Sequence, residues 1–134
     1  FFFKQKTAYE IYQCDWSSDV CSSDLDEGRS WSPLVATPLP NPNAGLEAVA
    51  LPRGRVGLVL NHGKNRLTLD FAVCSPDGRT LEEVRSLDAV ARGEVSYPSA
   101  RLEPEGDRRI LQVCYTRGRR EIVFREFDLG AGAR

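Results

Sequence analysis

Seven short apolar runs, each broken off by turn chemistry, organise residues 46–129 of the chain. The first three are 46–51 (LEAVAL), 55–60 (RVGLVL) and 66–74 (RLTLDFAVC), separated by Pro-Arg-Gly and His-Gly-Lys-Asn. Proline removes a ladder donor and glycine admits backbone that other residues avoid, so both separators read as tight turns. Four further runs follow at 80–86, 94–102, 109–116 and 120–129. In the last, Ile122, Phe124 and Phe127 are interleaved with Glu121, Arg125 and Glu126, the mark of a strand between unlike surroundings. Residues 80–91 also place Leu81, Val84, Leu87 and Val90 at helical spacing. Because the neighbouring runs are all strands joined by short turns, strand plus loop is expected there. Evenly spaced short strands predict an all-β chain of antiparallel sheets, as in a propeller, sandwich or barrel.

Residues 1–25 read differently. KQKTAYEI at 4–11 and DWSSDVCSSDL at 15–25 resemble the two arms of a translated sequencing adapter, in order. The segment lacks the basic lead and apolar centre of a signal peptide, and is expected to be non-native and without regular structure. Lysine usage changes at the same boundary: Lys4 and Lys6 precede it, and Lys64 is the sole lysine after it. The whole chain carries 18 Lys and Arg against 19 Asp and Glu. Such balance supports neither a nucleic-acid partner nor a membrane surface. Beyond residue 25, Cys74 and Cys114 each lie inside a strand-like run. They read as two separate buried thiols, with a disulfide as the alternative. With one histidine and no Cys-x-x-Cys spacing, neither a metal site nor a cofactor is expected.

The turn Asp26-Glu27-Gly28-Arg29-Ser30-Trp31 matches most of an Asp-box hairpin, Ser-x-Asp-x-Gly-x-Thr-Trp. Asp26 can accept N–H groups inside the turn, Gly28 admits positive φ, and Trp31 lays an apolar plate across the hairpin. Asp24 stands where the first serine belongs. A degenerate second copy, SPDGRTL at 75–81, has one residue fewer and Leu81 in place of Trp. Two copies at blade-like spacing point to a repeat, whereas the second alone reads as an ordinary Asp/Gly turn. These residues are scaffold.

With PNPNAGLEAV at 40–49, LVLNH at 58–62, SYP at 96–98, CYT at 114–116 and EIVF at 121–124 in this order, the chain from Asp26 to about Leu129 resembles the sialidase-like family with BNR repeats. The resemblance implies an incomplete fragment of a six-bladed β-propeller: C-terminal blades over 26–129, followed by a disordered tail at 130–134. Seven strands amount to less than two blades of about four strands. It further implies that Arg66 matches the third arginine of a triad gripping the substrate carboxylate, and that Tyr97 matches the tyrosine nucleophile. Sialic acid bears its carboxylate on the anomeric carbon, so a guanidinium fork suits it and a carboxylate nucleophile would be repelled. A neutral phenol avoids that clash.

Read by itself, Arg66 is a solvated arginine opening a strand, and Tyr97 before Pro98 is a tyrosine at a strand start. The Pro98-Ser99 that follows Tyr97 departs from the Ser-Asp of animal-type sialidases and is closer to a bacterial and plant-like branch. Asn41, Asn43, Asn61 and His62 lie at strand ends where a pocket loop would run; they are also routine turn residues. Tyr115 is read as packing, Arg117 as solvated, and 117–120 (RGRR) as a wet hairpin tip.

By comparison with the family, the other two arginines, the aspartate acid/base and the glutamate partner of the tyrosine are expected upstream of Asp26. The function implied is a fragment of an exo-acting retaining glycosidase for terminal sialic or related acidic sugars, without turnover as this chain. The alternatives are a carbohydrate lyase, a glycan-binding propeller, or a truncated reading frame with no function. The implied partners are an acidic glycan and the missing blades of the same propeller.

Overall fold

The computed structural model describes residues 11–15, 20–24, 29–30, 33, 35–36, 40–75 and 80–130. Strands β1 (Ile11–Asp15), β2 (Val20–Asp24) and β3 (Val35–Ala36) form one antiparallel sheet. A second contains β4 (Glu47–Ala50), β5 (Val56–Leu60), β6 (Thr68–Cys74) and β7 (Leu81–Ala89), paired in chain order. The third contains β8 (Val95–Glu105), β9 (Arg108–Arg117) and β10 (Glu121–Asp128). Every pairing is antiparallel, and no α-helix occurs among the described residues. The fold is all-β, and its successive meanders are those of an incomplete propeller.

All seven expected runs are strands, and residues 81–89 resolve the helical alternative in favour of β7. One region differs from expectation. Regular backbone occurs at 11–15 and 20–24, where no regular structure is expected: Cys14 pairs with Cys21 across an antiparallel hairpin. Ile11, Tyr12 and Val20 favour extended backbone, so local propensity suffices for such a strand pair. The expected tail at 130–134 lies, apart from Gly130, outside the described residues.

Strand alternation builds the core. On the β4–β7 sheet, Val59, Leu69, Phe71 and Val73 face the third sheet, meeting Val95, Leu111, Val113 and Tyr115. The intervening Leu58, Leu60, Ala72 and Cys74 form a second buried cluster on the opposite face. Each large apolar side chain so buried contributes about 1.5–3 kcal/mol. Gly57 is required for packing: a Cβ there would lie 2.6 Å from Phe71 Cε2 and 3.0 Å from Val49 Cγ2. Cys74 and Cys114 are both thiols, the first buried and the second half-buried. The turn at 51–55 has Arg53 and Gly54 at positive φ and is closed by Leu51 N–H donating to Arg55 O at 2.9 Å.

The meander order brings together, at one end of the two sheets, the segments 61–67 between β5 and β6, 90–94 between β7 and β8, and 118–120 between β9 and β10. That end carries the candidate chemistry.

Candidate functional site

Arg66 and Tyr97 meet there. Val95 N–H donates to Arg66 O at 2.8 Å, docking the 61–67 segment onto the start of β8. A register shift between Ser96 and Ser99 then breaks the β8–β9 ladder at Tyr97 and Pro98. Proline supplies no ladder donor, and the bulge re-aims the side chain before it. Tyr97 adopts φ 55°, a left-handed conformation that a bulky residue rarely takes, and stays 51% exposed. Arg66 Nη1 donates to the Tyr97 hydroxyl at 3.0 Å, with the guanidinium carbon 5.3 Å from the ring centroid. Arg66 Nη2 donates to Asn43 O.

Around this pair lies a charge network. Glu94 Oε2 is 3.7 Å from Arg66 Nη1. Arg119 from the β9–β10 turn forks onto the same carboxylate, Nε to Oε1 at 2.8 Å and Nη2 to Oε2 at 3.2 Å, and Ser96 Oγ donates to Oε1 at 3.1 Å. The Arg119 hydrogen bonds hold the Glu94 carboxyl below its usual range, outweighing the opposing effect of burial. The same bonds raise the Arg119 pKa. Glu94 is therefore a guanidinium-bound anion and a weak base.

The expected loop residues divide. Asn43 contributes its carbonyl to Arg66. Asn41 closes the adjoining turn, Nδ2 donating to Ala44 O at 3.0 Å while Oδ1 accepts from Ala44 N at 3.1 Å. Asn61 is fully buried and donates through Nδ2 to Thr68 O at 2.5 Å and Val95 O at 2.7 Å, tying the two sheets together below the site. His62 joins through its backbone, its N–H donating to Asp70 Oδ2 at 3.3 Å. Among the Asp-box residues, Asp26, Gly28 and Trp31 lie outside the described residues, and Ser30 is exposed. At the degenerate copy, Ser75 N–H donates to Thr80 O at 2.9 Å, with 76–79 outside the described residues.

Sequence reasoning missed Glu94 and Arg119. The hairpin tip at 117–120 is wet as expected, with the Arg119 side chain 72% exposed, yet its guanidinium reaches back to Glu94. No local pattern signals a partner 25 residues away. Tyr115 packs as expected and also donates to Asp88 Oδ2 at 2.6 Å, beside Arg117 and Arg125 at 3.6 and 3.9 Å. Arg117 is thus paired as well as solvated. Burial first, and then Asp88, pushes the Tyr115 phenol up to about 12.

A 260 Å³ concavity is lined by Leu51, Phe71, Arg85 and their neighbours, and neither it nor a second one along Glu103, Gln112 and Glu126 includes Arg66 or Tyr97. No group of three metal-ligating side chains occurs among the described residues. A family model described as a BNR repeat-like domain matches residues 12–110, a span containing both Arg66 and Tyr97. No curated protein and no solved structure matches the chain.

Proposed function

The chain belongs to the BNR repeat-like domain family, and on that premise we propose that Arg66 and Tyr97 form part of a sialidase-like site for an acidic sugar. The observation that carries this reading is the 3.0 Å contact between two side chains 31 residues apart, delivered by different sheets. Arg66 retains N–H groups beyond those given to Tyr97 and Asn43, enough to receive a carboxylate in a fork. The half-exposed Tyr97 stands beside it. On this reading an intact propeller is an exo-acting retaining glycosidase: the phenol oxygen attacks the anomeric carbon as its proton passes to a base, the glycosidic C–O bond breaks with the aglycone oxygen taking a proton from an acid, and water then cleaves the sugar–tyrosine bond.

As it stands, the chain binds without turning over. The carboxylate in the cluster, Glu94, is neutralised by Arg119 and is a poor acceptor for the phenol proton. The same observation favours a second reading, a glycan-binding propeller surface that uses the arginine and the ring without bond cleavage.

The test is a titration of the full chain with N-acetylneuraminic acid and with its methyl ester, followed by NMR of arginine Nε–H and tyrosine ring signals. The acid is expected to move Arg66 and Tyr97 and the ester to leave them in place. Equal responses to both ligands, or shifts confined to other arginines, would overturn the reading. Release of fluorophore from a sialoside would refute the absence of turnover.

A further inference from the structure

Strand β10 ends its sheet, and its outer flank has no neighbouring strand among the described residues. Leu129 N–H donates to Arg109 O, in phase with the β9–β10 ladder. Odd-numbered residues of β10 therefore bond to β9, and Ile122, Phe124 and Glu126 turn their N–H and C=O groups to the open flank. Ile122 and Phe124 are 78% and 58% exposed, where a soluble edge strand ordinarily carries lysine, proline or a bulge.

We propose that this flank pairs with the same strand of a second copy, antiparallel, with Val123 opposite Val123 on a two-fold axis. Charge selects that register. It sets Ile122 opposite Phe124 of the second copy, with their outward backbone groups bonding each other. It also sets Glu121 opposite Arg125 and Arg120 opposite Glu126, so each charge meets its opposite twice by symmetry. Centring on Phe124 instead would put Ile122 against Glu126 and Glu121 against Phe127. Centring on Arg125 would oppose Arg125 to itself, and centring on Ile122 would oppose Arg119 to Arg125. The present partners of Glu121 and Arg125 lie 4.0 and 3.9 Å away, loose enough to be exchanged. Arg85 Nη1 donates to Asp128 O at 3.4 Å and ends the free flank there. A two-fold pairing closes on itself, so association stops at the dimer.

Light scattering on the full chain, as a function of concentration, tests the pairing. The expected mass rises toward twice the 14.9 kDa of one chain. R120E and E126R, both at exposed positions, are each expected to hold the mass at one chain, and the double variant to restore the dimer. Amide exchange separates pairing from misfolding: the Ile122 and Phe124 amides gain protection with concentration while that of Val123, already bonded to β9, does not change. A wild-type chain that stays monomeric, an open-ended polymer, or a dimer that survives both single changes would overturn the proposal.

Discussion

The central strands β5 and β6 of the β4–β7 sheet are buried on both faces, whereas the β8–β10 sheet is buried on one. In the first, Phe71 packs toward the neighbouring sheet and Leu60, on the opposite face, is 1% exposed. In the second, Val113 and Tyr115 face inward while Ile122 and Phe124 lie bare on the outer face. Both sheets alternate apolar side chains with the same period. What differs is whether something covers the second face, which a strand's own sequence does not state. The same asymmetry places the site, since both sheets open their loops at one end and Arg66 crosses from the first to meet Tyr97 of the second.

The largest expected effect measures that contrast directly. Phe71→Ala should cost about 3–5 kcal/mol, because it opens a cavity between the sheets and strips the contact over Gly57. Phe124→Ala, an equal truncation on the bare face, should stay within about 0.5 kcal/mol in dilute solution. Denaturant midpoints for the two variants check this, and equal losses would mean that the outer face is covered in solution.

A smaller effect is expected where the sheets are joined by polar groups. Tyr115→Phe removes the 2.6 Å bond to Asp88 and should cost about 1–3 kcal/mol. The wild-type phenol, pushed up to about 12 from 10.0, holds its proton more tightly folded than unfolded. Its contribution is therefore whole below pH 10 and fades as pH rises toward 12. Stability curves of wild type and Tyr115→Phe should converge across that interval. On the acid side, burial opposes ionisation of Asp88, but the Tyr115 bond and the two arginines prevail and lower its pKa. That contribution is present above 3.8 and is lost as pH falls through the depressed value.

The smallest stability change is expected at the site. Tyr97→Gly relieves the left-handed backbone at φ 55° but loses the contact with Arg66 and adds freedom to the unfolded chain. Thermal unfolding should remain within about 1 kcal/mol of wild type, while the response of Arg66 to an acidic sugar disappears. A large destabilisation would assign Tyr97 to packing instead.

Much of the fold was legible because its signals are local. Pro52-Arg53-Gly54 announces a turn whatever surrounds it, and Leu69, Phe71 and Val73 alternate with Asp70, Ala72 and Cys74 at the strand period. The site was legible only in part. Arg66 and Tyr97 stood out through their resemblance to a family, and Tyr97 also through the proline after it. Glu94 and Arg119 carried no mark, because their bond depends on two turns arriving at the same place.

By itself, then, the order of residues determined the strands, the turns and the faces that seek burial, since these follow from side-chain period and backbone freedom over a few neighbours. The tertiary structure alone decided which guanidinium meets the phenol, which carboxylate is neutralised and which apolar face stays open. Those outcomes depend on how loops distant in the chain converge in space, and no short stretch of sequence encodes that convergence.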